Sequence, residues 1–586
     1  MNPEFQNVKN LLDELELELK LDERTVEERL RRLRAEGSSE PPCKEFLYEL
    51  MAFAFMETSD ADGSHWGTYF CPQMIRTNPD GTSIEYPSLS NVDAATIGYW
   101  SSRSSQSSNV AMKARYSDLV WDLCLKCTGV KPSHTFALTS ADALLTLVEN
   151  GMSLQPIDSI KKLRRAFILG ISLRNQQLIE RAKNAALSLE EKISEDNKPG
   201  LWGFCFDLIV ENKKVQRTSE EESQIVAHLE ARFSRLLSNG SLWPCECAAR
   251  RLSRYYRTKG MTNEMERVIK AFGGLCQATA RNSPPLAAHE ILKQAYSIYR
   301  EFNITDALAQ VLIELRELGP DLIDSMLTHE FTAELPKEEL LQFAQEMVRG
   351  EYTHVFSRIA IQYLPSIRES KHRLDEGIQK YPLAFMFPRQ VCDREGRVVS
   401  TIGPVETDYD GLLIGQVSQD MNIYSVSLDT VLKRAVEEHN LNPQLIVEYL
   451  YDSTVFPSSQ HGLLIEGIAK YLDGDYLAAN HILTPRIEVV LRSIVEQLGG
   501  TVLKEARGGG FYLRSVDELL RSEQMHDVFG SDICLYLRVL LSDPRGWNVR
   551  NDICHGLGAE ICLSKAVSDR LIHVFLLFGQ LRPKSV

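Results

Sequence analysis

Two side chains near the end of the chain have types and spacing suited to phosphoryl chemistry: Arg550 and His555, in Asp543-Pro-Arg-Gly-Trp-Asn-Val-Arg550-Asn551-Asp-Ile-Cys-His555-Gly556. A guanidinium is a permanently charged planar fork that fits a phosphate, and imidazole is the side chain whose ordinary pKa lies near neutrality. With His555 moving a proton on a ribose 2′-hydroxyl and Arg550 stabilising charge at phosphorus, the pair could run phosphodiester chemistry with no cofactor or metal. General acid–base help is worth about 10²–10⁴-fold, and a positioned cation contributes comparably. Asn551 would orient the phosphate or the imidazole. On a regular helix residues five apart point about 140° from each other, so both reach one phosphate only where the backbone bends. Gly556 and Gly558 make that bend plausible. The bare Arg-x4-His pattern recurs at Arg349/His354, Arg434/His439 and Arg521/His526, so context carries the signal: only the last copy has Asn551 and the two glycines and lies between helices. A purely structural reading of the same residues has Arg550 tying down a carboxylate, Asn551 capping a helix and His555 preceding a glycine C-cap.

The elements that must position this stretch are helical. Four helix candidates, 462–472, 476–498, 533–541 and 563–577, are spaced for an up-and-down bundle. The second carries an apolar stripe at helical spacing, Ile482, Ile487, Val490, Leu491, Ile494 and Leu498. On that core helix Glu488 stands four residues before Arg492, which suits an i,i+4 salt bridge. The same carboxylate could instead hold Arg550 or His555. Between the second and third helices, Val502-Leu-Lys-Glu-Ala-Arg-Gly-Gly-Gly510-Phe-Tyr-Leu-Arg514 is too glycine-rich for a helix and reads as a small hairpin. It lacks the lysine and hydroxyl placement of a phosphate-binding P-loop.

Three stretches together, Thr484-Pro-Arg-Ile-Glu488-Val-Val-Leu-Arg492, Phe529-Gly-Ser-Asp532 and Arg550-Asn-Asp-Ile-Cys-His-Gly556, resemble the domain family defined by an RNxxxHG signature, which in turn resembles the HEPN superfamily. The resemblance covers about 475–580. It implies a helical bundle, commonly a homodimer, and for many members a metal-independent endoribonuclease with an Arg-polar-x3-His motif, in which Asn551 matches the polar position. Other members are non-catalytic, so the resemblance also admits a nucleotide- or protein-binding module. A free ribonuclease is toxic, so the enzyme reading further expects the helical region to restrain or trigger it, as in a defence or toxin system.

The rest of the chain bounds these expectations. Its 586 residues split into several domains on the usual size prior, and 44% hydrophobic with 25% charged residues is ordinary for a folded protein. The expected class is mainly α: a solenoid-like helical-repeat scaffold, the bundle and minor β-hairpins. Expected segments are 1–37 (N-terminal helices, including Leu15–Leu21), 43–140 (helical and loop-rich), 141–380 (helical repeats), 381–455 (hairpin and connector) and 456–586 (bundle). In the repeat region 251–275 aligns with 294–318 at an offset of 43, pairing Tyr256 with Tyr299, Val268 with Val311 and the turn residues Gly260 with Asn303, with Asn175 as a third turn. Such a scaffold offers a protein partner or trigger a concave face. A loop is expected over the serine run Ser101–Ser108, and turns at Asp60-Ala-Asp62-Gly63 and Asn78-Pro-Asp-Gly81. A net charge of −15 excludes a broad nucleic-acid-coating face, yet from His461 onward 14 basic residues nearly balance 15 acidic ones, so any RNA contact is local. The cysteines, including Cys124/Cys127 and Cys245/Cys247, lack the further ligands zinc demands and read as reduced and buried. With neither leader nor spanning segment in the pattern, a cytoplasmic location away from membrane is expected.

Overall fold

The computed structural model describes residues 3–35, 42–58, 66–77, 82–327, 336–393, 395–557 and 563–582. The turns expected at 60–63 and 78–81, together with Gly558 and Cys562, lie outside these residues. The fold is mainly helical, with four two-stranded antiparallel ribbons. It forms two compact units, Met1–Leu312 and Ile313–Val586.

In the first unit the core gathers on Phe46, Phe53, Trp100, Tyr116 and Leu119. Two local expectations are corrected here. Leu15–Leu21 is not helical: one helix ends at Leu15 and the next begins at Glu23. Leucines two apart cannot share a helix face. Only Leu15 and Leu21 are buried, whereas Leu17 and Leu19 are exposed. Glu16, freed from the helix, instead accepts from the backbone amides of Ser108 (2.8 Å) and Asn109 (2.6 Å), just before the helix Val110–Thr128. Most of the serine run is not a loop, for Ala94–Gln106 is a helix capped by Asp93, whose carboxylate accepts from the Thr96 amide at 2.8 Å, and only Ser107 and Ser108 lie beyond it. Trp100 anchors it in the core; the Ser101 hydroxyl donates to the Ile97 carbonyl at 2.7 Å and that of Ser105 to the Ser101 carbonyl at 3.2 Å, within the helix, while Ser104 bonds Ser117 of the helix Val110–Thr128 at 2.7 Å.

The repeat signal corresponds to successive helices Leu242–Thr258, Thr262–Ala280, Pro285–Glu301 and Thr305–Asp324, of which the first packs on the second and the second on the third. Both matched turn residues take the left-handed conformation, Gly260 at φ 72° and Asn303 at φ 60°. The paired tyrosines and valines are buried in both copies. At the third turn the left-handed residue is Arg174, and Asn175 caps the following helix by accepting from the Leu178 amide.

The second unit holds the bundle: His461–Leu472, Tyr476–Gln497, Glu523–Leu541 and Lys565–Phe578. The third of these bends at Gly530 (φ 69°, ψ 173°), so its second half matches the helix expected from 533. Of the stripe, the core helix buries Ile487, Val490, Leu491 and Ile494, whereas Ile482 is half-buried and Leu498, just past the helix, is 42% exposed. The terminal helix is buried on all sides from Val567 to Phe578, because Tyr352–Gln362 and Tyr409–His439 pack on it as well. Arg570, fully buried, donates to the carbonyls of Tyr363 (3.0 Å) and Met421 (2.8 Å). His573 bonds the Ala360 carbonyl at 3.2 Å through Nε2 and accepts from the Tyr536 hydroxyl at 2.8 Å. The last carbonyls of the helix Tyr352–Gln362 thus meet a cation and a donor from the terminal helix, the polarity a helix C-terminus favours.

Candidate phosphate site on the C-terminal bundle

The motif stretch is held at both ends before its chemistry begins. Asp543, nearly fully buried, accepts from the Arg545 side chain (2.9 Å twice) and its amide (3.1 Å), and from Arg538 at 3.4 Å. Burial pushes this carboxyl up, but the Arg545 contacts and Arg538 outweigh it and hold it below the ordinary carboxylate value. Gly546 follows because the chain doubles back on the preceding helix: a Cβ there would sit 2.4 Å from the Val539 carbonyl, which also accepts from the Trp547 amide at 2.8 Å. Asn548 then turns left-handed (φ 54°) and the short helix Val549–Cys554 starts. Val549 and Ile553, four apart, are its buried anchors against the core helix and Glu523–Leu541.

With that face fixed, Arg550 reaches the core helix: its Nε donates to Glu488 Oε2 at 3.0 Å and its Nη1 to Asn551 Oδ1 at 3.2 Å. The other oxygen of Glu488 accepts from Arg492 Nη2. Both pairings that the sequence left open for Glu488 with an arginine therefore occur at once. The Glu488 side chain is only about a tenth exposed, while Arg492 and Arg550 keep 21% and 27% of theirs exposed. Two guanidiniums on one carboxylate leave a surplus positive charge at a partly wet edge, which an anion can use. Asn551 donates to Asn548 Oδ1 (2.8 Å) and the Ser542 carbonyl (3.3 Å), which fixes its amide beside Arg550.

His555 lies elsewhere. The short helix is unbroken from Arg550 to Cys554 and the backbone bend comes only after the histidine, at Gly556 (φ 70°). There the Leu557 amide bonds the Asp552 carbonyl at 2.7 Å, and the Gly556 amide the Ile553 carbonyl, a Schellman ending. The bend that the glycines promised is there, but it lies beside the pair, after both residues, and does not turn one toward the other, so within one chain they point about 140° apart. The His555 ring is exposed and has no hydrogen-bond partner among the described residues. The structure brings together Arg550, Asn551, Glu488 and Arg492, and leaves His555 presented at the rim.

Sequence reasoning missed Asn548, Ser542 and Thr484. Thr484 is one turn before Glu488, and its buried hydroxyl, like that of Ser542, has no partner among the described residues. Asn548 had one legible signal, since asparagine tolerates left-handed backbone. Elsewhere, no group of three His, Cys, Asp or Glu among the described residues could hold a metal ion. Burial raises the Cys245 thiol to about 12. No helix among them is long and apolar enough to cross a membrane. Compared with known proteins, the chain matches no family model, no curated protein and no solved structure.

Proposed function

We propose that the C-terminal bundle is a metal-independent endoribonuclease of the HEPN kind, working as a homodimer in the cytoplasm. The helical repeats are its solenoid-like scaffold, on which a protein partner or trigger acts in a defence or toxin-like system. The observation that carries the reading is the net-positive Arg492–Glu488–Arg550 cluster with an exposed imidazole, unpartnered among the described residues, just past the end of the short helix that carries Arg550. Because the two motif residues diverge within one chain, the catalytic cleft is composite: Arg550 of one copy faces His555 of a second copy across the dimer axis. His555 takes the proton from a ribose 2′-hydroxyl, whose oxygen bonds to phosphorus as the bond to the 5′-oxygen breaks. The leaving oxygen takes a proton from water, and the product is a 2′,3′-cyclic phosphate. Arg550, steadied by Glu488 and Asn551, stabilises the charge on the phosphorane.

The second reading is a non-catalytic HEPN-type nucleotide- or protein-binding module. It is favoured by one fact: Glu488, Arg492, Arg550 and Asn551 already bond within the chain. Purified protein incubated with RNA in EDTA, beside Arg550→Ala and His555→Ala, separates the two. Cyclic or 3′-phosphate ends that vanish in both variants support the enzyme. RNA left intact by the unaltered protein is the outcome for a restrained enzyme as well as for the binding module, and the second unit alone, Ile313–Val586, then decides: folded and still inert, it supports the binding module.

A further inference from the structure

In the first unit the helix Pro156–Ser172 begins without a side-chain cap, whereas its neighbours His134–Glu149 and Gln176–Ile193 are capped by Ser133 and Asn175. Gln155 lends its start no side-chain bond, and Pro156 in the first position has no amide hydrogen to give. The first amides of a helix find no carbonyl inside it, and together with the helix dipole they favour an anion at that end. Asp158, the acid of the first turn, lines a different cavity, where it meets Lys161 at 3.9 Å. A bare helix start is no site by itself, so the side chains around it decide.

Beside this start lies a cavity of about 500 Å³, within the range of small-ligand sites. Ser159 lines it. The residue is 5% exposed, and its hydroxyl has no hydrogen-bond partner among the described residues. A helical serine ordinarily returns its hydroxyl to the carbonyl four residues back, as Ser101 does, so a buried hydroxyl left unspent at a cavity wall is a donor free for a ligand. Ser153, in the turn before the helix, adds a second hydroxyl without a partner among the described residues. Lys20 and Lys192 line the cavity too, both exposed and neither with a hydrogen bond or ion pair among the described residues. The acid on its wall, Glu149, is spent, because Arg181 donates to its two oxygens at 2.8 and 2.6 Å. The last carbonyls of His134–Glu149, which would repel an anion, are also taken: those of Thr146, Leu147 and Val148 accept from the amides of Asn150, Met152 and Gly151. The charge left unpaired at the cavity is therefore two cations, in a chain whose net charge is −15. Leu154, Leu189 and Ile193 add apolar lining.

We propose that this cavity binds a small phosphate monoester, with the phosphate taken by Ser159, Lys20, Lys192 and the helix start, and the organic body laid on the apolar lining. Two unpaired cations match the near-dianion that a phosphate monoester is at neutral pH, and its three terminal oxygens can serve donors that several parts of the chain bring to one cavity. A carboxylate brings half that charge and two oxygens. A phosphodiester, as in a nucleic-acid backbone, carries one charge per phosphate and would leave a cation unmatched. A bare phosphate would leave most of the cavity, and its leucines, uncovered. The site is independent of the ribonuclease reading.

The test is titration calorimetry of the full-length chain with phenyl phosphate, benzoate and inorganic phosphate, in an Arg550→Ala background so that the arginine cluster of the bundle does not report. Phenyl phosphate should bind once per chain, about tenfold tighter than benzoate or inorganic phosphate. Lys20→Gln and Lys192→Gln, at exposed positions where the fold is kept, should each weaken it about 5- to 10-fold, and Ser159→Ala, which removes no bond of the fold, about 3- to 10-fold. Lys161→Gln, on the same helix but outside the cavity, should leave the affinity unchanged. Phenyl phosphate that fails to bind, that binds no tighter than benzoate, or that binds undiminished when both lysines are changed overturns the proposal. So does an oligouridine that displaces phenyl phosphate at equal concentration, which would give the cavity to a nucleic-acid strand.

Discussion

Each unit carries a cluster in which arginine meets carboxylate, and the two clusters differ in how they are closed. In the first unit Arg165 donates three bonds to Asp118 (2.6–3.1 Å), both side chains are 6% exposed, and the guanidinium stacks on Tyr69 at 3.8 Å. Asp122 is near as well, at 3.9 Å from Arg165 and bonded to the amides of Tyr69 and Phe70. Nothing there is left for a ligand. In the second unit one carboxylate serves two arginines, and both keep an exposed edge. A closed cluster holds a fold together; one with surplus charge at a wet edge can take an anion.

That contrast can be broken experimentally, beginning with the largest effect. Asp118→Ala leaves Arg165 buried without its partner and should cost about 3–5 kcal/mol, read by urea denaturation of the first unit. Next comes pH in the second unit. Burial, with the Arg570 guanidinium beside it, pushes His573 down to about 3. Its folded value lies below the ordinary 6.5, so the unfolded chain binds more protons between the two. Stability is whole above about pH 6.5 and falls as pH drops toward 3. Denaturation between pH 7 and 4 should show the decline, and His573→Gln should flatten it. Glu488→Ala should cost less than Asp118→Ala, about 1–3 kcal/mol, because its arginines keep access to water. A loss equal to that of Asp118→Ala would erase the distinction between the clusters. The smallest stability effect belongs to His555→Ala, within about 0.5 kcal/mol, since an exposed ring without partners holds nothing in place.

What the sequence made legible was what repeats at short range. The stripe Ile487–Ile494 located the core helix, and the glycine run located the ribbon Leu503–Glu505 with Phe511–Leu513. The repeat offset found Gly260 and Asn303, where left-handed backbone is needed. Where tertiary burial overrode local habit, the reading failed. Ser101–Ser108 reads as loop from its serines, although the helix that buries Trp100 runs on to Gln106. The candidate site was legible as residue types only. The sequence offered Glu488 to Arg492 or to a motif residue as alternatives; that it serves both arginines at once rests on a contact across 62 positions, and the straightness of Val549–Cys554 depends on Val549 and Ile553 finding the core helix. The same holds for the bundle's limits. Arg570 and His573 bond Tyr363, Met421 and Ala360, so the terminal helix belongs to a body larger than 456–586.

The composite cleft is tested most directly by mixing two variants. Arg550→Ala and His555→Ala, each expected to be inert on RNA in EDTA, are combined in equal amounts and allowed to exchange subunits. Half of the dimers are then mixed, and each mixed dimer holds one cleft with both side chains intact, so cleavage should return to about a quarter of the unaltered protein's rate. An unaltered protein that cleaves, with a mixture that stays inert, would contradict a cleft shared between two copies.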